Sequence, residues 1–154
     1  MVSDPWLDRW TSLITVRSDR TPVLEIGCGH GDDTVVLTRA GLDVIAFDLS
    51  RASMAAAKLR APSARIECRG TRDPFPKVAT ALGVVVASLS LHYFSWAETQ
   101  SIVERIREVL RPGGALLCRL NSTQDRNFGA GAGTLLQENY YLVDGRPKRF
   151  FHEE

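Results

Sequence analysis

Residues 23–34, VLEIGCGHGDDT, decide the fold of this chain. A short, mostly apolar run leads into three glycines at alternate positions, Gly27, Gly29 and Gly31, and two aspartates follow. Glycine tolerates a positive φ and carries no Cβ, so a ligand can approach the backbone amides of such a loop. The stretch therefore predicts a buried strand, a ligand-holding loop, and a helix with two carboxylates in its first turn.

The alternation of strand and helix continues along the chain. Further apolar runs predict strands at residues 43–48, 64–68, 82–91 and 115–120, after a first strand at 22–26. Ser50 caps a helix over residues 51–60, and the capping box of Ser95 and Glu98 starts a helix that continues to Arg111. The predicted fold is α/β, a doubly wound sheet of about five parallel strands with helices on both faces.

The N-terminus predicts one more helix. Asp4 can cap it, and Pro5 suits its first position. Two tryptophans and two aliphatic residues would then share its buried face: Trp6, Trp10, Leu13 and Ile14.

Composition excludes several classes of protein. Nineteen basic residues stand against 18 acidic ones, so no basic surface for nucleic acid or anionic membrane is expected. No secretion signal or membrane span is recognisable, which favours the cytoplasm. Cys28, Cys68 and Cys118 lack metal-binding spacing, so reduced thiols and no metal site are expected.

The loop differs from the dinucleotide-binding fingerprint. Its spacing is G-x-G-x-G rather than G-x-G-x-x-G, and Asp32 takes the place of the last glycine. Asp32 and Asp33 would repel a diphosphate but tolerate an ammonium group. Asp48, at the end of the second strand, can accept two hydrogen bonds from a ribose cis-diol. The pattern favours a nucleoside ligand without a diphosphate, and disfavours a nucleotide-dependent oxidoreductase.

Four segments carry a resemblance to a known family. VLEIGCGHGDDT (23–34), VIAFDLS (44–50), VVVASLSLHYF (84–94) and VLRPGGALL (109–117) resemble the successive motifs of class I S-adenosylmethionine-dependent methyltransferases. The resemblance extends from Val23 to Leu120 and, more weakly, through residues 139–151, where it is similar to bacterial small-molecule methyltransferases. It implies S-adenosylmethionine as cofactor and a single domain over residues 1–154. The expected parts are an N-terminal helix (1–20), a cofactor-binding core (21–120), and an acceptor-side loop and tail (121–154).

The resemblance also assigns residues to the cofactor. Those expected around its amino acid end are Glu25, Gly27, Cys28, Gly29 and Gly31. Asp48 would hold the ribose, and Leu49 would lie near the adenine. Thr71 stands where the family commonly has an aspartate for the adenine amino group. Ser88 either lines the methyl-transfer pocket or is bonded to backbone.

The acceptor side is less determined by the sequence. Methyl transfer from a sulfonium depends mostly on alignment, and a base is needed only for a protonated acceptor. His92 is the candidate base, or else a histidine packed beside its aromatic neighbours. Asn121, Tyr140 and Tyr141 could build an acceptor site, although core packing or edge covering would also explain the tyrosines. The predicted function is methyl transfer to a small molecule, and the alternative is an inactive cofactor-binding or assembly module.

Two features depart from the family pattern. The fourth strand starts with Leu82 and Gly83 instead of an aromatic residue and an aspartate. The chain also ends without the two further strands of the family's sheet, so the fifth strand is expected to be an edge. The chain could be truncated, residues 134–151 could cover the edge, or a second protomer could do so in a homodimer.

Overall fold

The computed structural model describes residues 5–152. Short 3-10 helices lie at Asp8–Trp10 and Arg126–Phe128. The α-helices are α1 (Thr11–Ser18), α2 (Asp32–Arg39), α3 (Arg51–Arg60) and α4 (Trp96–Val109). The strands are β1 (Val23–Ile26), β2 (Val44–Asp48), β3 (Arg65–Cys68), β4 (Leu82–Ser88), β5 (Leu110–Arg119), β6 (Thr134–Gln137), β7 (Tyr140–Val143) and β8 (Arg146–Arg149).

Five strands form one sheet in the order β3-β2-β1-β4-β5, and all neighbouring pairs are parallel. The chain moves outward from β1 to β3 and then returns to the other side of β1 with β4. Strand order therefore reverses between β1 and β4, and a crevice lies beyond the carboxyl ends of strands at such a point. The predicted α/β fold with five parallel strands is confirmed.

Helices cover both faces of this sheet, as predicted. Leu37 of α2 and Ala57 of α3 are fully buried on one face. On the other face, Ile102 and Ile106 of α4 pack in a core that contains Phe47. Among residues 5–152, no helix is both long enough and apolar enough to cross a membrane.

Side-chain caps start two helices as the sequence predicts. The Ser50 hydroxyl accepts a hydrogen bond from the Ser53 amide at the start of α3. In α4 the Ser95 hydroxyl accepts from the Glu98 amide, and the Glu98 carboxylate accepts from the Ser95 amide. Each bond satisfies a backbone donor that the first helical turn leaves unpaired.

Three predicted element bounds are wrong. β4 ends at Ser88, three residues earlier than predicted, and the next residue, Leu89, turns the chain with a φ of 51°. α4 ends at Val109 instead of Arg111, and β5 begins at Leu110 instead of residue 115, because Leu110 is already extended and pairs with the first residue of β4. Apolar residues at these junctions fit either element, so periodicity alone does not separate them.

The N-terminal helix is shorter than predicted. α1 begins at Thr11 instead of Pro5, and the predicted cap, Asp4, lies outside the described residues. Ile14 is fully buried, whereas Leu13, which the sequence places on the same face, is 37% exposed. Both tryptophans of this segment pack partly buried against the core.

Residues 134–149 form a second, antiparallel sheet that the sequence analysis does not predict. Two-residue turns join its strands at 138–139 and at Asp144 and Gly145. The latter two residues have φ values of 50° and 77°, the geometry of a type I′ turn, for which Asp-Gly is a preferred sequence. The Asp144-Gly145 dipeptide is therefore the sequence signal from which this hairpin could have been predicted.

The small sheet does not cover the edge of the large one. Within the described part of the chain, β5 has β4 as its only strand partner. The small sheet is bonded to the segment after β4 instead: the Arg149 amide donates to the His92 carbonyl, and the Tyr140 hydroxyl donates to the Tyr93 carbonyl. Of the three alternatives for this edge, covering by residues 134–151 finds no support in strand pairing, since Phe151 forms a bridge only with Ser122, beyond the end of β5.

Packing of α1 accounts for Gly83. This residue lies near the start of β4, at the end of the strand opposite to the crevice. A Cβ on Gly83 would lie 1.9 Å from the carbonyl oxygen of Arg17 and 2.7 Å from the Cα of Ser18. The Gly83 amide also donates to the Thr21 hydroxyl at 3.0 Å. Gly83 thus takes the place of the family's aspartate because the end of α1 lies directly on the strand and leaves no room for a side chain.

We expect Gly83→Ala to lower the free energy of unfolding by about 2–4 kcal/mol, because α1 must move to admit the methyl group. Urea unfolding followed by circular dichroism measures this. Gly70→Ala is the matched control, since its Cβ would meet its nearest atoms at an ordinary 3.5 Å. Equal stability of the two variants would contradict the packing argument.

Candidate functional site

Two cavities meet at the carboxyl ends of β1 and β4. The first cavity, of about 1080 Å³, is lined by the N-terminal segment, the glycine loop and α2. The second cavity, of about 840 Å³, is lined by the ends of β2 and β3 and by the segment after β4. Both are lined by Gly27, Gly29, Ser88 and Leu89. These four residues form the boundary between the cavities, at the crevice that the strand order predicts.

The three glycines of the loop serve different purposes. A Cβ on Gly27 would lie 2.5 Å from the Cβ of Ser90, so Gly27 lets the segment after β4 approach β1. A Cβ on Gly31 would lie 3.0 Å from Ala57, so Gly31 lets α3 pack on the start of α2. Around Gly29 a Cβ would meet no atom within 4 Å. The space beside Gly29 is open to a ligand, whereas Gly31, expected at the cofactor, lines neither cavity.

Asp48 connects the end of β2 to the glycine loop. Its Oδ2 accepts a hydrogen bond from the Gly29 amide at 2.9 Å, and its Oδ1 accepts from the Ser50 amide at 2.8 Å. A carboxylate offers about four acceptor positions, so two bonds leave capacity for a ligand's hydroxyls. Asp48 lines the second cavity, and its contact with a ribose diol stays a prediction.

Glu25 is a buried carboxyl group in the wall of the first cavity. The Thr34 hydroxyl donates to its Oε1 at 2.5 Å. Burial raises the pKa of Glu25 to about 8, against the opposing effect of the Thr34 bond, so the group is largely protonated at pH 7. Burial likewise raises the pKa of the neighbouring Cys28 thiol to about 12, which keeps it uncharged. A buried acid without a cationic partner is typical of a ligand site.

A cluster that the sequence analysis did not assemble lies beside Glu25. The Trp6 indole N–H donates to both carboxylate oxygens of Asp33, at 3.0 and 3.1 Å. The Arg119 guanidinium lies over the Trp6 ring, and its Nε donates to the Ser88 hydroxyl at 2.8 Å. Burial raises the pKa of Asp33, and the Trp6 bond and the Arg119 charge act in the opposite direction. These contacts join residues that are far apart in the sequence, so no local sequence pattern predicts them.

The loop after β3 brings Thr71 to the second cavity. Arg105 of α4 donates to the Thr71 carbonyl at 2.8 Å, and Arg72 forms an ion pair with Glu98 at 2.7 Å. Leu49 lines the same cavity and is 74% exposed. A flat aromatic ligand in this cavity would cover the exposed side chain of Leu49. The loop that carries Thr71 is held in place by Arg105 and Glu98 of α4.

The structure does not bring His92 to either cavity. Its ring contacts Tyr93 with centroids 4.1 Å apart, the packing alternative that the sequence left open. Burial, with a smaller effect from Lys148, lowers the pKa of His92 to about 4. Among residues 5–152, its Nδ1 has no hydrogen-bond partner. The histidine is therefore neutral at pH 7 and away from the crevice.

None of the three acceptor-side candidates lines either of these two cavities. Asn121 is buried, and its carbonyl accepts from the Phe151 amide. Tyr140 is buried and bonded to the Tyr93 carbonyl, while Tyr141 packs edge-on against Phe150. The second cavity is instead lined by residues the sequence analysis did not assign, among them Arg69, Arg72, Ser90, Tyr93 and Arg146.

Among the described residues, no group of three or more His, Cys, Asp or Glu could hold a metal ion.

Several known proteins are similar to this chain in sequence. A sequence model of the family described as "Methyltransferase domain" matches residues 23–114, which include the glycine loop, Asp48 and the end of β4. The chain belongs to this family. An uncharacterized methyltransferase of Synechocystis is 34% identical over 92 residues, which are 60% of this chain and 43% of the relative. The resemblance stated from the motifs is thereby confirmed.

Solved structures of methyltransferases have the same fold. The CcbJ methyltransferase from Streptomyces caelestis superposes with a TM-score of 0.69 at 18% identity, over 78% of this chain and 51% of that one. The glycopeptide N-methyltransferase MtfA in complex with S-adenosyl-L-methionine superposes with a TM-score of 0.60 at 24% identity, over 75% and 50%. This methyltransferase-domain chain thus spans about half the length of the proteins it matches.

We expect Glu25→Gln to stabilise the ligand-free protein by roughly 3 kcal/mol at pH 7. Between the ordinary pKa of 4.5 and about 8, the unfolded chain loses a proton that folded Glu25 keeps, so the native protein loses stability as pH rises. The glutamine side chain does not titrate, and its amide oxygen can still accept the hydrogen bond from the Thr34 hydroxyl. Urea unfolding at pH 5, 7 and 8.5 measures the difference, and a parallel pH dependence of both proteins would contradict it.

Proposed function

We propose that this chain binds S-adenosylmethionine and transfers its methyl group to a small-molecule acceptor. The observation that carries the proposal is Asp48, placed at the end of β2 and bonded to the Gly29 amide beside open space. A ribose cis-diol suits such a carboxylate, and a ligand can lie against the glycine loop. Asp32 and Asp33 at the start of α2 disfavour the diphosphate of a dinucleotide.

The first cavity suits the amino acid end of the cofactor. That end carries an ammonium and a carboxylate group, so its site needs both signs of charge. The carboxyl groups of Glu25 and Asp33 can meet the ammonium, and the guanidinium of Arg119 can meet the carboxylate; all three line this cavity. The raised pKa values of Glu25 and Asp33 are those of acids that lack a sufficient cation in the ligand-free state.

The second cavity suits the adenosine end. Asp48 would hold the ribose, the exposed Leu49 would cover one face of the base, and Thr71 would supply a hydrogen-bond acceptor near it. The neutral threonine makes this contact weaker than the family's aspartate would. The proposal thus gives residues 21–120 the role of a cofactor-binding core.

The protein contributes alignment to the reaction. When bound, the cofactor supplies a sulfonium methyl group with a good leaving group, and most of the catalysis is positioning. Ser88 and Leu89, which line both cavities, would lie beside the reacting centre. No general base is assigned, because His92 is buried away from the crevice and has a lowered pKa.

A small acceptor is favoured by the charge of the chain. The net charge of +1 gives no general attraction for nucleic acid. An inactive cofactor-binding module is the second candidate, favoured by Thr71 in place of the aspartate, and it differs from the first only in turnover.

We expect S-adenosylhomocysteine to bind the native chain with micromolar affinity, about −8 kcal/mol. Asp48→Ala should weaken this binding at least about tenfold, because charge-assisted bonds to the ribose are lost. Calorimetric titration measures both affinities. Asp43→Ala is the matched control, because it removes an exposed carboxylate just before β2 that lines neither cavity.

Asp48 also holds the amides of Gly29 and Ser50, so unfolding curves must show that Asp48→Ala is folded. Unchanged affinity in a folded Asp48→Ala variant, or tighter binding of NADH than of S-adenosylhomocysteine, would overturn the proposed function. Binding without methyl transfer to any acceptor in a broad panel would favour the inactive module.

We expect cofactor binding at pH 7 to release close to one proton. Glu25 is mostly protonated in the ligand-free protein, and a bound ammonium group favours its ionised form. Affinity should therefore increase as pH rises from about 6 to 7.5. Titrations in buffers of different ionisation enthalpy count the protons. Glu25→Gln should abolish the release, and release that persists in this variant would assign the proton to another group.

A further inference from the structure

Arg146 is a cation at the second cavity that the proposed function leaves without a role. It is the first residue of β8, is exposed, and lines this cavity together with Tyr93 and Phe94. We propose that Arg146 binds an anionic group, a carboxylate or a phosphate, on the methyl acceptor. This inference rests on the proposed function and specifies the class of its acceptor.

Arg146 has a rigid support. The neighbouring Arg149 is buried, and its guanidinium donates to the carbonyls of Phe94 and Glu138 and to the Gln137 side chain. The Arg149 amide also donates to the carbonyl of His92. Arg149 thus anchors the small sheet to the segment after β4 and fixes the strand that presents Arg146. The backbone from which the exposed Arg146 side chain projects is thereby held in place from the other end of β8.

The other arginines of this cavity already have partners. Arg69 forms an ion pair with Glu67 at 2.5 Å, and Arg72 forms one with Glu98 at 2.7 Å. Arg146 makes no side-chain hydrogen bond or ion pair within residues 5–152, and the nearby carboxylates are engaged as well. Asp48 accepts from two backbone amides, and Asp73 accepts from the Gly70 amide at 2.6 Å. Among the described residues that line this cavity, the guanidinium of Arg146 is therefore the cation without an ion-pair partner.

The cofactor itself does not need this charge. In the proposed placement its carboxylate lies in the first cavity, and its adenosine end carries no anion. The sulfonium joins the two ends at the boundary of the cavities, next to Ser88 and Leu89. The segment after β4 leads from this boundary to Tyr93 and Phe94, to which the small sheet is bonded. Arg146 lines the second cavity together with Tyr93 and Phe94 of this segment, and its guanidinium fork suits a carboxylate or phosphate group of an acceptor.

The test uses the full chain saturated with S-adenosylhomocysteine. Succinate and inorganic pyrophosphate are titrated as the two anion chemistries, with succinamide as the neutral counterpart of the first. We expect saturable binding of at least one anion with a Kd of about millimolar order, and none of succinamide. Arg146→Gln should weaken anion binding about tenfold and leave S-adenosylhomocysteine binding within about twofold. The relative strength of the two anions identifies the acceptor's charged group.

Lys148→Gln is the matched control, because it removes one positive charge from the same strand and lines neither cavity. It should leave anion binding within about twofold. The inference is overturned if neither anion saturates the native complex, if Arg146→Gln binds anions as the native chain does, or if both variants weaken equally. Failure of S-adenosylhomocysteine to bind the native chain refutes the proposed function itself, and the inference then falls with it.

Discussion

The contact between Gly27 and Ser90 is the constraint on which the crevice depends. The Ser90 hydroxyl donates to the Ile26 carbonyl at 2.7 Å, and no Cβ fits on Gly27 at this approach. The segment after β4 is thereby drawn against the glycine loop, and Leu89 is held at a positive φ at the boundary of both cavities. Strain of this kind in a non-glycine residue persists only where surrounding contacts enforce it, and it is common at functional sites.

The buried acids of the first cavity lower the stability of the ligand-free fold. Glu25 is buried without a cation, and Asp33 has only partial compensation from Trp6 and Arg119. Such groups destabilise the empty fold and favour any ligand that brings positive charge to them. The N-terminal segment takes part in this arrangement, because Trp6 bonds Asp33 and stacks on Arg119, beside the cavity where the cofactor's amino acid end is proposed.

The departures from the family pattern have local physical reasons. Gly83 lies at the far end of β4 and serves the packing of α1, so it leaves the crevice unaffected. The small antiparallel sheet is bonded to the segment after β4, where Arg149 is its anchor. The crevice side of the large sheet and the small sheet are therefore separate elements, joined through the segment after β4.

The sequence by itself determined the order of strands and helices as far as β5, the parallel sheet, the glycine loop and the position of Asp48. These depend on local periodicity, caps and strand ends, which neighbouring residues encode. Tertiary structure alone decided that Gly31 serves helix packing and that His92 and Tyr140 are buried away from the crevice. It also decided that Arg119 and Arg146 border the cavities and that Trp6 bonds Asp33. Those outcomes depend on contacts between distant segments, whose direction and depth no local pattern contains.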